Sequence, residues 1–172
     1  SNSGGCADTI VMPDLIHVYD PDIPPVTLLR SVSVNSPNSV SVQWEDVSVD
    51  DIDIYIIYRW NPLTSTYDSI SSVKDTLWSM PLSVFTWNDN QVSTEQSTYR
   101  YIVVAVDHCG NRPLIEDHQA HETMLLNTIA GHHQVSMSWT PYKGSSVAGY
   151  EIYRSDPLNP LERQVGVTSG DT

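Results

Sequence analysis

Val40-Ser41-Val42-Gln43-Trp44 alternates apolar and polar side chains without a break, and Val135-Ser136-Met137-Ser138-Trp139 does the same 95 residues later. Alternation at period two marks a half-buried strand, because successive side chains point to opposite faces of a sheet. The match continues without gaps. Tyr55, Ile57, Tyr58 and Arg59 fall on Tyr150, Ile152, Tyr153 and Arg154, and Pro62-Leu63 falls on Pro157-Leu158. Nine identities over the 24 positions from Val40 to Leu63, a Trp and two Tyr among them, make this an internal repeat.

Outward from that stretch, the first copy reads as seven short strands separated by turn signals. They are Val26 to Val34, Ser39 to Trp44, Ile54 to Trp60, Tyr67 to Val73, Ser83 to Trp87, Tyr99 to Asp107 and Ile115 to His121. Seven short strands in under a hundred residues point to two packed antiparallel sheets. In the second copy, Thr123 to Ala130, Gln134 to Trp139, Gly149 to Arg154 and Arg163 to Thr168 match the first four strands. At the period of the repeat a full second unit would run to about residue 215. The expected organisation is a leader at 1–22, a complete module at 23–121 and the first half of a second module at 122–172. The opening Ser1-Asn2-Ser3-Gly4-Gly5 has no initiator Met or signal-type segment and reads as a scar, which leaves the compartment open.

Composition agrees with an all-β chain. Val, Ile and Thr number 44 of 172 residues, whereas Ala numbers five and Lys two. β-branched residues favour pleated strands and the depleted pair favours helices, so a helical bundle is excluded. Eight basic side chains against 21 acidic ones give a net charge of −13. Nucleic acid is therefore not an expected partner, since phosphate binding needs clustered Lys and Arg, and the same charge disfavours an anionic membrane surface. No apolar run approaches the roughly 20 residues of a membrane-crossing helix, and membrane insertion is not expected.

With the strands in place, Trp44 followed by Tyr55-x-Ile57-Tyr58-Arg59 and Tyr99-x-Tyr101-x-Val103-x-Ala105 resembles the fibronectin type III fold, an immunoglobulin-like β-sandwich, with Tyr99 at the tyrosine-corner position. More narrowly, Ile23-Pro24-Pro25, Ser31 to Val34, Tyr55 to Tyr58, Ala105 to Asn111 and Trp139 to Tyr142 resemble tandem modules of large secreted Bacteroidetes proteins in the gliding-motility-associated C-terminal-domain group. The resemblance covers residues 20–168. It implies an extracellular or outer cell-surface location. In that group the Cys of Cys-Gly-Asn pairs with a Cys shortly before the second Trp, but here that stretch is His132-His133-Gln134. A Cys6–Cys109 bridge, two free thiols and an interchain pair through Cys6 all stay open. Asp8-Thr9-Ile10, Asp68-Ser69-Ile70 and Asp75-Thr76-Leu77 resemble the Bacteroidetes acceptor for O-linked glycans, at Thr9, Ser69 and Thr76.

Among chemistry-bearing residues, Trp44, Trp139, Tyr55, Tyr150 and Tyr99 fall on inward strand positions and are expected to pack a core. His118-x-x-His121 and His132-His133 would need to meet at the module junction to hold zinc; surface or interface histidines are the expectation. Asp46, Asp50, Asp51 and Asp53 lack the spacing of a calcium loop and read as a solvated acidic loop. No nucleophile elbow, phosphate loop or His-Glu-x-x-His motif occurs, so neither a catalytic residue, a cofactor site nor a metal site is assigned.

Parity on the strands leaves one surface feature. With Tyr55 and Ile57 inward, Ile54, Ile56, Tyr58 and Trp60 face outward, and on the longest strand Ile102, Val104 and Val106 join them. Seven such side chains form an interaction patch larger than monomers usually leave bare. Its expected fate is coverage, and Thr9 to Val18 has the apolar alternation for it. The chain is thus expected to be a non-catalytic spacer or adhesion module with a protein or cell-surface partner. The alternative is a glycan-binding accessory module of a polysaccharide-degrading enzyme, with Trp60, Trp78 and Trp87 as sugar platforms. The half-module would leave Trp139, Tyr150 and Ile152 uncovered, so β-strand addition and a homodimer are expected there.

Overall fold

The computed structural model describes residues 9–10, 16–17, 22–47, 49, 51–75, 83–156 and 159–169. The described chain is all β apart from one 3-10 turn. A two-residue pair, β1 (Thr9–Ile10) with β2 (Ile16–His17), precedes the body. There β3 (Leu29–Ser36), β4 (Ser39–Glu45), β5 (Ile52–Asn61), β6 (Thr66–Lys74), β7 (Val84–Asp89), β8 (Arg100–Asp107) and β9 (His121–Glu122) follow in turn. They form two antiparallel sheets, one ordered β3-β4-β7 and the other β6-β5-β8-β9. The C-terminal part is two hairpins, β10 (Leu126–Gly131) with β11 (Gln134–Trp139), and β12 (Gly149–Asp156) with β13 (Asn159–Ser169). Among the described residues no helix is long and apolar enough to cross a membrane.

The two body sheets share one core, an arrangement consistent with a β-sandwich. Val32, Val40, Val42, Trp44 and Phe85 come from the three-stranded sheet; Tyr55, Ile57, Tyr101, Val103 and Ala105 come from the four-stranded one. Trp44, Tyr55 and Phe85 are its aromatic centre. Trp44 stacks on Phe85 at 5.5 Å, and Tyr55 tilts against Phe85 at 4.9 Å. The alternation quoted above therefore places its side chains as expected, with Val40, Val42 and Trp44 fully buried. Polar groups that enter the core find partners. The Tyr55 hydroxyl donates to Asp46 at 2.5 Å and accepts from the Val47 amide at 3.0 Å. Asp89 accepts from Arg59 at 2.6 Å and from Tyr101 at 3.0 Å. Among the described residues, two buried side-chain polar atoms have no partner, Trp44 Nε1 and His118 Nε2.

Two expectations are corrected. Ile115 to His121 is not a strand: Ile115–Asp117 is a 3-10 turn, closed by the Asp117 amide on Leu114 and the His118 amide on Ile115, and only His121–Glu122 pairs with β8. The first strand begins at Leu29, because Thr27 turns inward and its hydroxyl accepts from the Ala105 amide at 3.1 Å. The outward patch is not left bare. Ile102 and Val104 are fully buried, Tyr58 and Val106 nearly so, and Ile54, Ile56 and Trp60 are half-buried. Ile115 and Ala120 drop onto Tyr58, Ile102 and Val104, so the segment misread as a strand is a cover for the outer face. The side chains of Thr9 to Val18 lie outside the described residues.

Candidate functional site

The most densely connected polar region lies where the body meets the hairpin pair. The local sequence explains its shape. After β9, Thr123 is fully buried and anchors the chain back to the body: its amide donates to Tyr99 and its hydroxyl accepts from the Tyr99 amide, both at 2.9 Å. The chain runs out along β10 and returns along β11. Thr140 then closes the base of that hairpin, donating through its amide to Leu125 at 3.1 Å and accepting from the Leu125 amide through its hydroxyl at 2.9 Å. Pro141 cannot continue the ladder, and the following residues lie back along β9, where the Glu122 amide donates to the Lys143 carbonyl at 2.9 Å.

Tyr142 is the centre of this clasp. Its hydroxyl accepts from the Val32 amide at 3.0 Å on the edge of β3 and bonds the Nδ1 of His121 at 2.7 Å. Either group can be the donor in the His121 bond, because a hydroxyl that accepts one hydrogen bond can still donate or accept another. The two rings meet edge to face at 5.7 Å. The amide of Tyr142 donates to Tyr150 at 3.0 Å, and its ring packs against the body core. One residue thus ties β3, β9 and β12 together. Gly144 completes the fit. At φ +120° it occupies a conformation that other residues rarely adopt, and a Cβ there would stand 2.2 Å from His121 Cδ2.

An ionic cluster flanks the clasp. Glu122, nearly buried, accepts from Arg100 at 2.9 Å, from Lys143 at 3.2 Å and from Thr98 at 2.8 Å. Burial alone would raise the carboxyl, but hydrogen bonds from Thr98, Arg100 and Lys143 hold it below the usual range. Burial pushes the His121 imidazole down, against a hydrogen bond to the Gly144 backbone. His118 is likewise pushed down by burial, against hydrogen bonds to the Leu114 and Ile115 backbone and the nearby charge of Asp117. Both histidines are therefore neutral interior groups, which corrects the surface expectation for His118. His121 is buried against Tyr142 and Gly144.

The remaining candidates are scattered. His132 and His133 pack on each other at the exposed tip of the β10–β11 hairpin. No group of three or more His, Cys, Asp or Glu suited to a metal occurs among the described residues. Asp50 lies outside the described residues. Asp46 carries the Tyr55 hydrogen bond, and burial raises its carboxyl against that bond. Trp60 is half-buried against Tyr67, edge-on at 5.1 Å, with the Arg100 guanidinium 5.6 Å from its ring centroid. Trp87 packs against the core, and Trp78 lies outside the described residues. Ser69 is exposed on β6, whereas Thr76 and the side chain of Thr9 lie outside the described residues. Cys109 is disulfide-bonded. The chain's other cysteine, Cys6, lies outside the described residues.

Sequence reasoning missed Tyr142, Gly144 and Lys143. Their signal was the Trp139-Thr-Pro-Tyr142 segment directly followed by a glycine motif, a turn that the strand pattern had no use for. No family model, curated protein or solved structure matches the chain.

Proposed function

We propose that this chain is a non-catalytic β-sandwich spacer or adhesion unit of a larger secreted or cell-surface protein, built from fibronectin type III-like modules. Strand orders β3-β4-β7 and β6-β5-β8-β9 support that reading of the fold. So does the Tyr99 hydroxyl, which accepts from the Ser93 amide at 2.8 Å at the corner before β8. The disulfide on Cys109 supports an oxidising compartment.

The observation that carries the proposal is the clasp at Tyr142. A spacer works by holding a distance, and a distance between units is held only when their joint is rigid. Here the joint is fixed by the Val32–Tyr142–His121 hydrogen bonds and the Arg100–Glu122–Lys143 ion cluster, in place of a flexible Gly/Ser linker. Small-angle scattering or paired fluorescent labels on β6 and β13 would test it. A single narrow distance is expected, broadening in a Tyr142→Phe/Lys143→Ala variant. A broad distribution in the parent chain would refute a spacer role.

A further inference from the structure

We infer that residues 112–120 form an acid-released cover: when His118 takes up a proton, the segment lifts from the larger sheet and bares Tyr58, Ile102 and Val104. The device lies wholly within the body and does not depend on a spacer role.

The cover has no ladder to hold it. It leaves β8 after Asp107, whose amide donates to the Asn111 carbonyl at 3.2 Å, and it rejoins the sheet at β9, where His121 pairs with Tyr101. Between those points, among the described residues, its backbone bonds are internal. The Asp117 amide donates to Leu114 and the His118 amide to Ile115, each at 3.2 Å. Side chains therefore hold the segment to the sheet. Ile115 and Ala120, both half-buried, pack against Tyr58, Ile102 and Val104. Pro113 and His118 are its two buried residues, and the Arg112 guanidinium reaches the Tyr58 hydroxyl at 3.3 Å. A short segment with few apolar anchors and no ladder belongs to the low-stability end of a fold.

Of these anchors, His118 alone has a charge that ordinarily changes near neutral pH. The residue is 8% exposed. Its Nδ1 lies 2.9 Å from the Leu114 carbonyl, which can only accept, so Nδ1 carries the proton of the neutral ring. Nε2 is then a lone pair, buried and without a partner. A neutral ring fits this site with one unsatisfied acceptor. A second proton does not fit, because Nε2–H would be a charged donor with neither acceptor nor water. In the lifted segment water accepts it. The proton thus binds the open form more tightly than the closed one, which is the differential affinity a switch requires.

The surrounding charges leave that balance in place. Asp117 favours the imidazolium, but burial disfavours it and is the larger effect. Glu116 is exposed on the cover. β5 brings Tyr58, bonded to Arg112; β6 brings Tyr67; β8 brings Arg100, which is bound to Glu122 of β9. Carboxyl, phenol and guanidinium groups ordinarily titrate outside pH 5–7. The other imidazoles near the ends of the cover are His121, on β9, and His108, whose Nδ1 donates to the Asp51 carbonyl at 2.7 Å.

Amide hydrogen exchange on the whole chain at pH 7 and pH 5, corrected for intrinsic exchange, tests the switch. The opening constant at the Asp117 and His118 amides is expected to rise at least threefold on acidification, under a ceiling of about twenty-five-fold set by the ordinary imidazole value of about 6.5. Amides within β4 should stay at least a hundredfold better protected at both pH values, which separates lifting of the cover from global unfolding. His118→Leu and His118→Gln should each abolish the pH dependence, and His121→Gln and His108→Gln should keep it. Ile115→Ala should raise opening at both pH values and leave the pH dependence unchanged. An opening constant in the parent that is flat between pH 7 and 5 overturns the proposal. So does a pH dependence that survives the His118 variants, or one that His121→Gln alone removes. Cover amides that exchange only together with β4, or an Ile115→Ala chain that opens no more than the parent, overturn it as well.

Discussion

Tyr150 accepts the backbone amide of Tyr142 at 3.0 Å, and 95 residues earlier Tyr55 accepts the amide of Val47 at the same distance. The neighbouring rings repeat too: Trp139 lies 5.6 Å from Tyr150, and Trp44 lies 5.7 Å from Tyr55. The same local structure therefore forms in two environments, one fully covered and one open. Burial should decide what each hydroxyl is worth. Tyr55→Phe leaves a buried Val47 amide without an acceptor and is expected to cost about 1–3 kcal/mol, whereas Tyr150→Phe leaves an amide that water can reach and should cost less than about 1 kcal/mol. Urea denaturation of the two variants checks this; equal losses would contradict it.

The same contrast applies to the two tryptophans. Trp44 is fully buried against Phe85 and Tyr55, so Trp44→Ala is expected to cost about 3–5 kcal/mol. Trp139→Ala removes a half-buried ring and should cost well under that. A Trp44→Ala protein that melts like the parent would show the register of β4 to be wrong.

Most of the body was readable because its strands alternate strictly, and β4 and β5 fall within two residues of where the sequence put them. Ile115 to His121 was misread for a physical reason. Its apolar residues serve the outer face of β8, where Ile102 and Val104 need a cover, and a cover needs only occasional apolar contacts with no ladder. Strand alternation cannot tell the two apart. The joint was unreadable for another reason: Tyr142 acts on Val32 from 110 residues away, and no local pattern encodes such a pairing.

The disulfide gives a third prediction. Alkylation under non-reducing conditions is expected to leave Cys109 unmodified, because its sulfur is already bonded. Reduction should lower stability by about 2–5 kcal/mol, the usual loss for a native bridge. Recovery of two modified cysteines per unreduced chain would exclude the bond.

Stability should fall with acid in two windows. His118 and His121 have folded pKa values lowered by burial, so the unfolded chain takes up protons first. Their contribution is complete above the ordinary histidine value of about 6.5 and is lost as pH drops below it, by up to about 1.4 kcal/mol per pH unit for each ring. Glu122 is also lowered, held there by Thr98, Arg100 and Lys143 against burial. Its contribution holds above the ordinary carboxylate range and is lost as pH falls through it. Urea midpoints should therefore decline between pH 7 and 5 and again below 4.5. A His118→Leu/His121→Gln variant should lose only the first decline, and a flat parent profile down to pH 5 would refute the neutral-histidine assignment.

Gly144→Ala is the sharpest test of the joint. The methyl group would meet His121 Cδ2 at 2.2 Å and its Cα at 2.8 Å, and the φ of +120° is strained for any L side chain. Backbone, not a flexible side-chain end, blocks relief, because β9 is held by β8 on one side and by Lys143 on the other. Either the Tyr142 loop lifts away or β9 shifts, and β9 carries the Arg100–Glu122 pair. Lifting of the loop is the smaller change, since only the Val32, His121 and Tyr150 bonds and the Lys143 contacts are given up. The variant is thus expected to keep the body folded, with an unfolding midpoint of β3–β8 near the parent's. Protease cleavage between Thr140 and Gly149 should accelerate at least tenfold, and the inter-unit distance distribution should broaden. Amide exchange at Val32 should rise with it, because Tyr142 is that amide's acceptor. If exchange at Val32 and cleavage in the loop both match the parent, the clasp does not hold the joint.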